Sequence, residues 1–137
     1  MYATEANLLT RYGTEITDLA DRDGNGAADV GVIERALKGA DATINSYIET
    51  RYSLPLASTP EKLTDTACEI ARYKLYTDGA PEQVAEDYKN AIAWLKDVAA
   101  KRASLGLDDA AEETPSTGGP QISAPDRVFT KASLSGF

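Results

Sequence analysis

Histidine is absent from this chain of 137 residues, and cysteine occurs once, as Cys68. The first absence excludes Ser-His triads, Cys-His pairs and histidine-ligated zinc. It also removes the side chain whose ordinary titration lies nearest neutral pH. The second excludes an internal disulfide and suits a reducing compartment. No apolar run approaches the roughly 20 residues of a membrane-spanning helix. Met1 to Glu5 has neither a basic flank nor an apolar core, so it does not read as a signal peptide. No glycine loop of the phosphate-cradling kind is present; Gly118 and Gly119 sit in a proline-rich stretch. Basic residues are scarce: 14 Lys and Arg stand against 22 Asp and Glu, a net charge of −8. That balance argues against a sequence-reading nucleic-acid binder, which needs a basic patch. It is compatible with a wall past which DNA slides without sticking. No constellation for catalysis is left, and the expectation is a non-enzyme.

What is present is helical periodicity. Thr4 is placed to cap a short helix from Glu5 to Tyr12, which Gly13 ends. Thr14 to Ala20 reads as a second short helix. Asp29 is placed to cap a third, in which Val30, Ile33, Leu37, Ala40, Ile44 and Ile48 recur at spacings of three and four. Gly39 weakens that helix by about 1 kcal/mol relative to alanine. Pro55 and Pro60 forbid its continuation. Pro60 opens a fourth helix with Leu63, Ala67, Ile70, Ala71 and Leu75 on its apolar stripe, and Gly79 ends it. Pro81 opens a fifth, carrying Val84, Tyr88, Ala91, Leu95 and Val98. No segment alternates long enough to make a core strand. The expectation is an all-α fold: a small bundle of three longer helices (about 30–51, 60–78 and 81–104) and two short ones, with an extended C-terminal arm. The helical body is 1–104, and the linker and arm are 105–137.

The arm begins with an acidic cluster and continues Pro115-Ser116-Thr117-Gly118-Gly119-Pro120. It buries too little apolar surface of its own to offset the entropy of ordering it. Arg127, Val128, Phe129, Leu134 and Phe137 are spaced like anchors, so they are the candidate partner-binding residues. The alternatives are another subunit, another protein, or the chain's own body.

The loop from Asp21 invites a count of ligands. A calcium loop of the EF-hand type supplies oxygens at positions 1, 3, 5, 7 and 9 and a bidentate glutamate at 12. Asp21, Asp23 and Asn25 fill positions 1, 3 and 5, Ala27 offers its carbonyl, and Asp29 fills position 9. Position 12 is Val32, and Glu34 lies two places too far on. Calcium bound here is weakly held, no better than about 10⁻⁴ M. The other reading is a tight turn built from Asp, Asn and Gly.

Three smaller features complete the reading. Cys68 lies within a helix and is expected to be a small packing residue. Tyr47, Tyr52, Tyr73, Tyr76 and Tyr88 suit half-buried rims or interfaces. Arg72-Tyr73-Lys74 is expected to pair with Glu69 or Asp78 at helical spacing.

Several blocks, taken in order, resemble a known family. They are Arg11-Tyr12-Gly13 with the Asp21–Asp29 loop, then Arg51-Tyr52-Ser53-Leu54-Pro55-Leu56, then Ala67-Cys68-Glu69-Ile70-Ala71-Arg72-Tyr73-Lys74-Leu75-Tyr76, and finally Arg127-Val128-Phe129-Thr130 to Phe137. Together these are similar to the small virion proteins of Mu-like phages and prophages. The resemblance implies a structural role at the head–tail junction, like the helical adaptors of tailed phages. Such an adaptor forms a ring of about twelve copies below the portal. It extends the DNA channel and docks the next neck protein. The implied partners are further copies of the chain, the portal, and a neck or tail protein, with DNA passing nearby and no membrane. The implied location is the virion neck, after synthesis in the bacterial host cytoplasm. The alternative is a tail-completion or other neck component, and after that a calcium-responsive binding module.

Overall fold

The five helices arise where the periodicity places them, and their ends are set by local hydrogen bonding. The structure is a computed structural model that describes residues 1–107. The expected arm residues Arg127, Val128, Phe129, Leu134 and Phe137 lie outside the described residues. The elements are α1 (Glu5–Tyr12), α2 (Thr14–Ala20), α3 (Val32–Ile48), α4 (Glu61–Leu75) and α5 (Glu82–Ala99). All are α-helices, so the fold is all-α, as expected.

Thr4 caps α1 through a reciprocal box. Its hydroxyl accepts from the Asn7 amide, and the Asn7 side chain accepts from the Thr4 amide. Gly13 then joins α1 to α2 with a φ of 64°, a left-handed value that a side chain resists. The cap of α3 differs from the expectation. Gly31, at φ 81°, is its N-cap, not Asp29. The Asp29 carboxylate is occupied elsewhere, accepting from the Arg22 amide at 2.8 Å. The left-handed turn at Gly31 also leaves Val30 outside the helix and 99% exposed, not on the apolar stripe.

The longer helices are shorter than the periodicity suggested. α4 stops at Leu75 because Tyr76 turns extended, well before Gly79. The freed Leu75 carbonyl accepts from Arg22 Nη2 at 3.2 Å. α5 stops at Ala99, since Lys101 takes a left-handed φ of 65°. The Arg102 and Ala103 amides then close on the Asp97 carbonyl at 2.7 and 3.1 Å. These are the ordinary ways of satisfying carbonyls at a helix end.

The long helices α3, α4 and α5 pack pairwise, and α1 and α2 lie against α3 and α4. The core contains Leu8, Ile16, Ile44, Ile48, Leu63, Ile70 and Leu95, all fully buried. Each contributes on the order of 1.5–3 kcal/mol relative to exposure. Thr66 is buried too, and its hydroxyl is satisfied by the Lys62 carbonyl at 2.8 Å within the helix. Tyr73 of α4 stacks on Tyr88 of α5, with ring centroids 4.0 Å apart.

After α5 the chain is clamped, not loose. Arg51 Nη1 donates to the carbonyls of Val98 and Ala103 at 2.8 and 2.7 Å. The Tyr52 hydroxyl accepts from the Leu105 amide at 3.3 Å, and Leu105 is buried. Met1–Leu107 form one compact unit. Among the described residues no helix is long and apolar enough to cross a membrane.

Candidate functional site

The Asp21–Asp29 loop owes its shape to the side chains in it. The Asp21 carboxylate accepts three backbone amides, from Gly24 at 2.8 Å, Asn25 at 3.0 Å and Gly26 at 2.7 Å. Asp23 accepts the Asn25 amide at 3.0 Å, and Asn25 in turn accepts the Ala27 amide at 2.9 Å. These are the nested turns that Asp and Asn favour. The arrangement brings carboxylate oxygens of Asp21, Asp23 and Asp29 within 4.8 Å of one another. The Gly26 amide above all, with the other amides, holds the Asp21 carboxyl below its ordinary value. Asp23 moves the other way. The Asn25 amide pulls it down, but desolvation and the neighbouring Asp21 and Asp29 outweigh that and raise it. Two carboxyls with opposed shifts share one loop, and a hard cation of oxygen-seeking character fits such a set. Val32, at position 12, is buried and offers no oxygen. The loop is held by the chain's own amides, so a tight turn accounts for its shape.

A second cluster joins four helices. Arg72 of α4 grips Glu15 of α2 through two hydrogen bonds, Nε to Oε2 and Nη2 to Oε1, both 2.9 Å. The Tyr76 hydroxyl donates to the same carboxylate at 2.6 Å. The Arg72 guanidinium also lies 3.8 Å from Asp87 of α5 and stacks over the Tyr12 ring of α1 at 4.3 Å. The expectation that this basic step pairs with Glu69 or Asp78 is corrected: Arg72 reaches across to other helices, because it sits on the face of α4 that meets α2 and α5. Its hydrogen bonds hold the Glu15 carboxyl below its ordinary value. Cys68 is buried in α4, and desolvation pushes its thiol up, away from the reactive thiolate.

The two flanks of α3 differ in chemistry. On one flank Val32, Arg35, Ala36 and Gly39 face Arg22, Lys74 and Leu75 across a concavity of about 390 Å³. On the other, Ile33, Glu34 and Leu37 line a groove of about 450 Å³ with Met1, Glu5 and Val30. Sequence reasoning missed both. Arg22, Arg35 and Lys74 are far apart along the chain, and only the packing of α3 on α4 brings them together. The Val30-Gly31 step was a usable signal, since a glycine there can take the left-handed turn that keeps the valine off the helix stripe.

The fold and these surfaces define a small all-α protein with no membrane-crossing helix among the described residues. Its kinship is direct. The family model described as Bacteriophage Mu, Gp36 matches residues 2–124, and the chain belongs to that family. It is 33% identical over 138 residues to the Mu-like prophage FluMu protein gp36 of Haemophilus influenzae, covering all of this chain and 98% of that protein. It is 30% identical over 116 residues to Gene product J of Escherichia phage Mu, covering 83% of this chain and 82% of that protein. Membership makes this a protein of Mu-like phages, and suggests a structural or morphogenetic role rather than an enzymatic one.

Proposed function

We propose that this chain is a structural virion protein of the head–tail junction, an adaptor ring of about twelve copies below the portal. In this reading it extends the DNA channel and docks the next neck protein. The observation that carries the proposal is the family match, which runs through the helical body and beyond it to residue 124. The charge supports it: an excess of carboxylates lets DNA pass without being held. Arg127, Val128, Phe129, Leu134 and Phe137 are proposed as contacts to the portal. A tethered second contact strengthens weak docking by raising effective concentration. A weakly held calcium at Asp21, Asp23, Asn25 and Asp29 belongs to the same proposal, as a stabiliser of the loop. A tail-completion role is the alternative, in which a tail protein takes the place of the portal.

Removal of residues 126–137 tests the reading. The truncated protein is expected to keep the wild-type helical circular dichroism and melting temperature while particles fail to join heads to tails. Infectious particles assembled from the truncated protein would overturn it.

A further inference from the structure

The two flanks of α3 carry opposite charge, and each displays what the other lacks. On the basic flank, Arg22, Arg35 and Lys74 converge on one concavity with no carboxylate among the described residues that line it. Among the described residues, none of the three has an ion-pair partner, in a chain of net charge −8. Two of the three are set in place by the fold. Arg22 is anchored by the carbonyls of Leu19 and Leu75 at 3.0 and 3.2 Å. Those bonds use two of its five N–H donors, leaving about three. The Lys74 stem lies on α3 at the one position without a side chain; a Cβ on Gly39 would stand 3.0 Å from Lys74 Cδ.

The acidic flank carries exposed apolar side chains. Val30 is 99% exposed and Met1 59% exposed, two of the three large hydrophobic side chains the described surface displays. Both line the groove with Glu5, Asp29 and Glu34 on its rim. Among the described residues Glu34 is engaged only by Lys38, in an exposed pair at 3.2 Å. Such a pair contributes little.

Helical geometry sets these flanks apart. At about 100° per residue, Val32, Arg35, Ala36 and Gly39 centre roughly 150° around α3 from Ile33, Glu34 and Leu37. The buried face of α3 lies between them. One helix therefore presents a positive notch on one side and a negative, partly apolar groove on the other. A head-to-tail contact between identical subunits needs two different, complementary patches of this kind. A chain of high negative charge needs one of them to be basic, or its copies repel.

We infer that the two flanks of α3 are the two halves of a self-interface: the notch of Arg22, Arg35 and Lys74 on one copy receives the Glu5–Glu34 rim of the next, with Val30 covered between them. The occupant of the notch is a carboxylate of a second copy. This deepens the ring reading above and rests on it.

The test uses the full chain in sedimentation velocity at low and high salt. Wild type is expected to associate at low salt and to dissociate as salt screens the contact. Arg35→Glu with Lys74→Glu makes both flanks acidic. Glu5→Lys with Glu34→Lys makes both flanks basic. Each double variant alone is expected to self-associate at least about tenfold more weakly than wild type, with an unchanged melting temperature. Mixed one to one, they are expected to assemble, because every contact in an alternating assembly joins unlike charges. A mixture that stays monomeric, or a variant that associates as wild type does, overturns the inference. So does loss of duplex-DNA binding by the Arg35→Glu, Lys74→Glu variant with self-association intact, since the notch would then hold phosphates. The outcome is separable from the ring reading: a chain found at the neck of particles with an unaffected α3 variant leaves the location standing and removes only this interface.

Discussion

Arg72 is the residue on which most of the body converges. One guanidinium holds Glu15 from α2, approaches Asp87 from α5 and covers Tyr12 from α1. A bidentate, charge-assisted pair is stronger than an ordinary surface ion pair. Glu15→Gln is expected to cost about 1–2 kcal/mol at pH 7, read by urea unfolding. The pH dependence follows from its sign. The Glu15 carboxyl is held below its ordinary value of 4.5, chiefly by Arg72. Its contribution is therefore complete above that value and is lost as pH falls through the lower, folded one. The gap between wild type and Glu15→Gln is expected to be constant above pH 4.5 and to narrow as pH falls below it. The sequence hid this pair because the partners are 57 positions apart, and the local candidates Glu69 and Asp78 obscured it. The Asp21–Asp29 turn was legible, since the Asp and Asn side chains that shape it follow one another in the chain. Millimolar calcium is expected to raise the melting temperature, and Asp21→Ala to abolish the increment. An unchanged melting curve would leave only a turn.

At the scale of elements, Gly39 explains itself through α4. In isolation it costs α3 about 1 kcal/mol relative to alanine. Within the fold it gives the Lys74 stem a seat against the helix. Gly39→Ala alone is expected to gain little stability, because the propensity gain is offset by displacing Lys74. Gly39→Ala in a Lys74→Ala background is expected to recover the full increment of about 1 kcal/mol. Equal effects in both backgrounds, measured by chemical denaturation, would show that Lys74 is irrelevant. The existence and order of all five helices were legible, because apolar spacing, the Thr4 cap and the prolines Pro60 and Pro81 act locally. Their ends were less so. α4 ends at Leu75 with Arg22, a residue from a distant loop, on its last carbonyl. Gly31 outcompeted Asp29 as the cap of α3 because the Asp29 carboxylate is spent on the loop.

For the whole molecule, kinship gives the family, and charge bears on the proposed role. The chain belongs to the Bacteriophage Mu, Gp36 family, and its net charge of −8 suits a surface that nucleic acid passes without binding. The order of motifs made the family legible from the sequence. The α3 flanks were not, because they are a property of packing, and the arm residues lie outside the described structure. In the proposed role this protein sits as a ring at the junction of head and tail. Electron cryomicroscopy of purified particles carrying an affinity-labelled copy of the chain tests it most directly. Label is expected in a closed ring between portal and tail, with one copy beside the next. Label at the distal end of the tail, or particles without the protein, would contradict it.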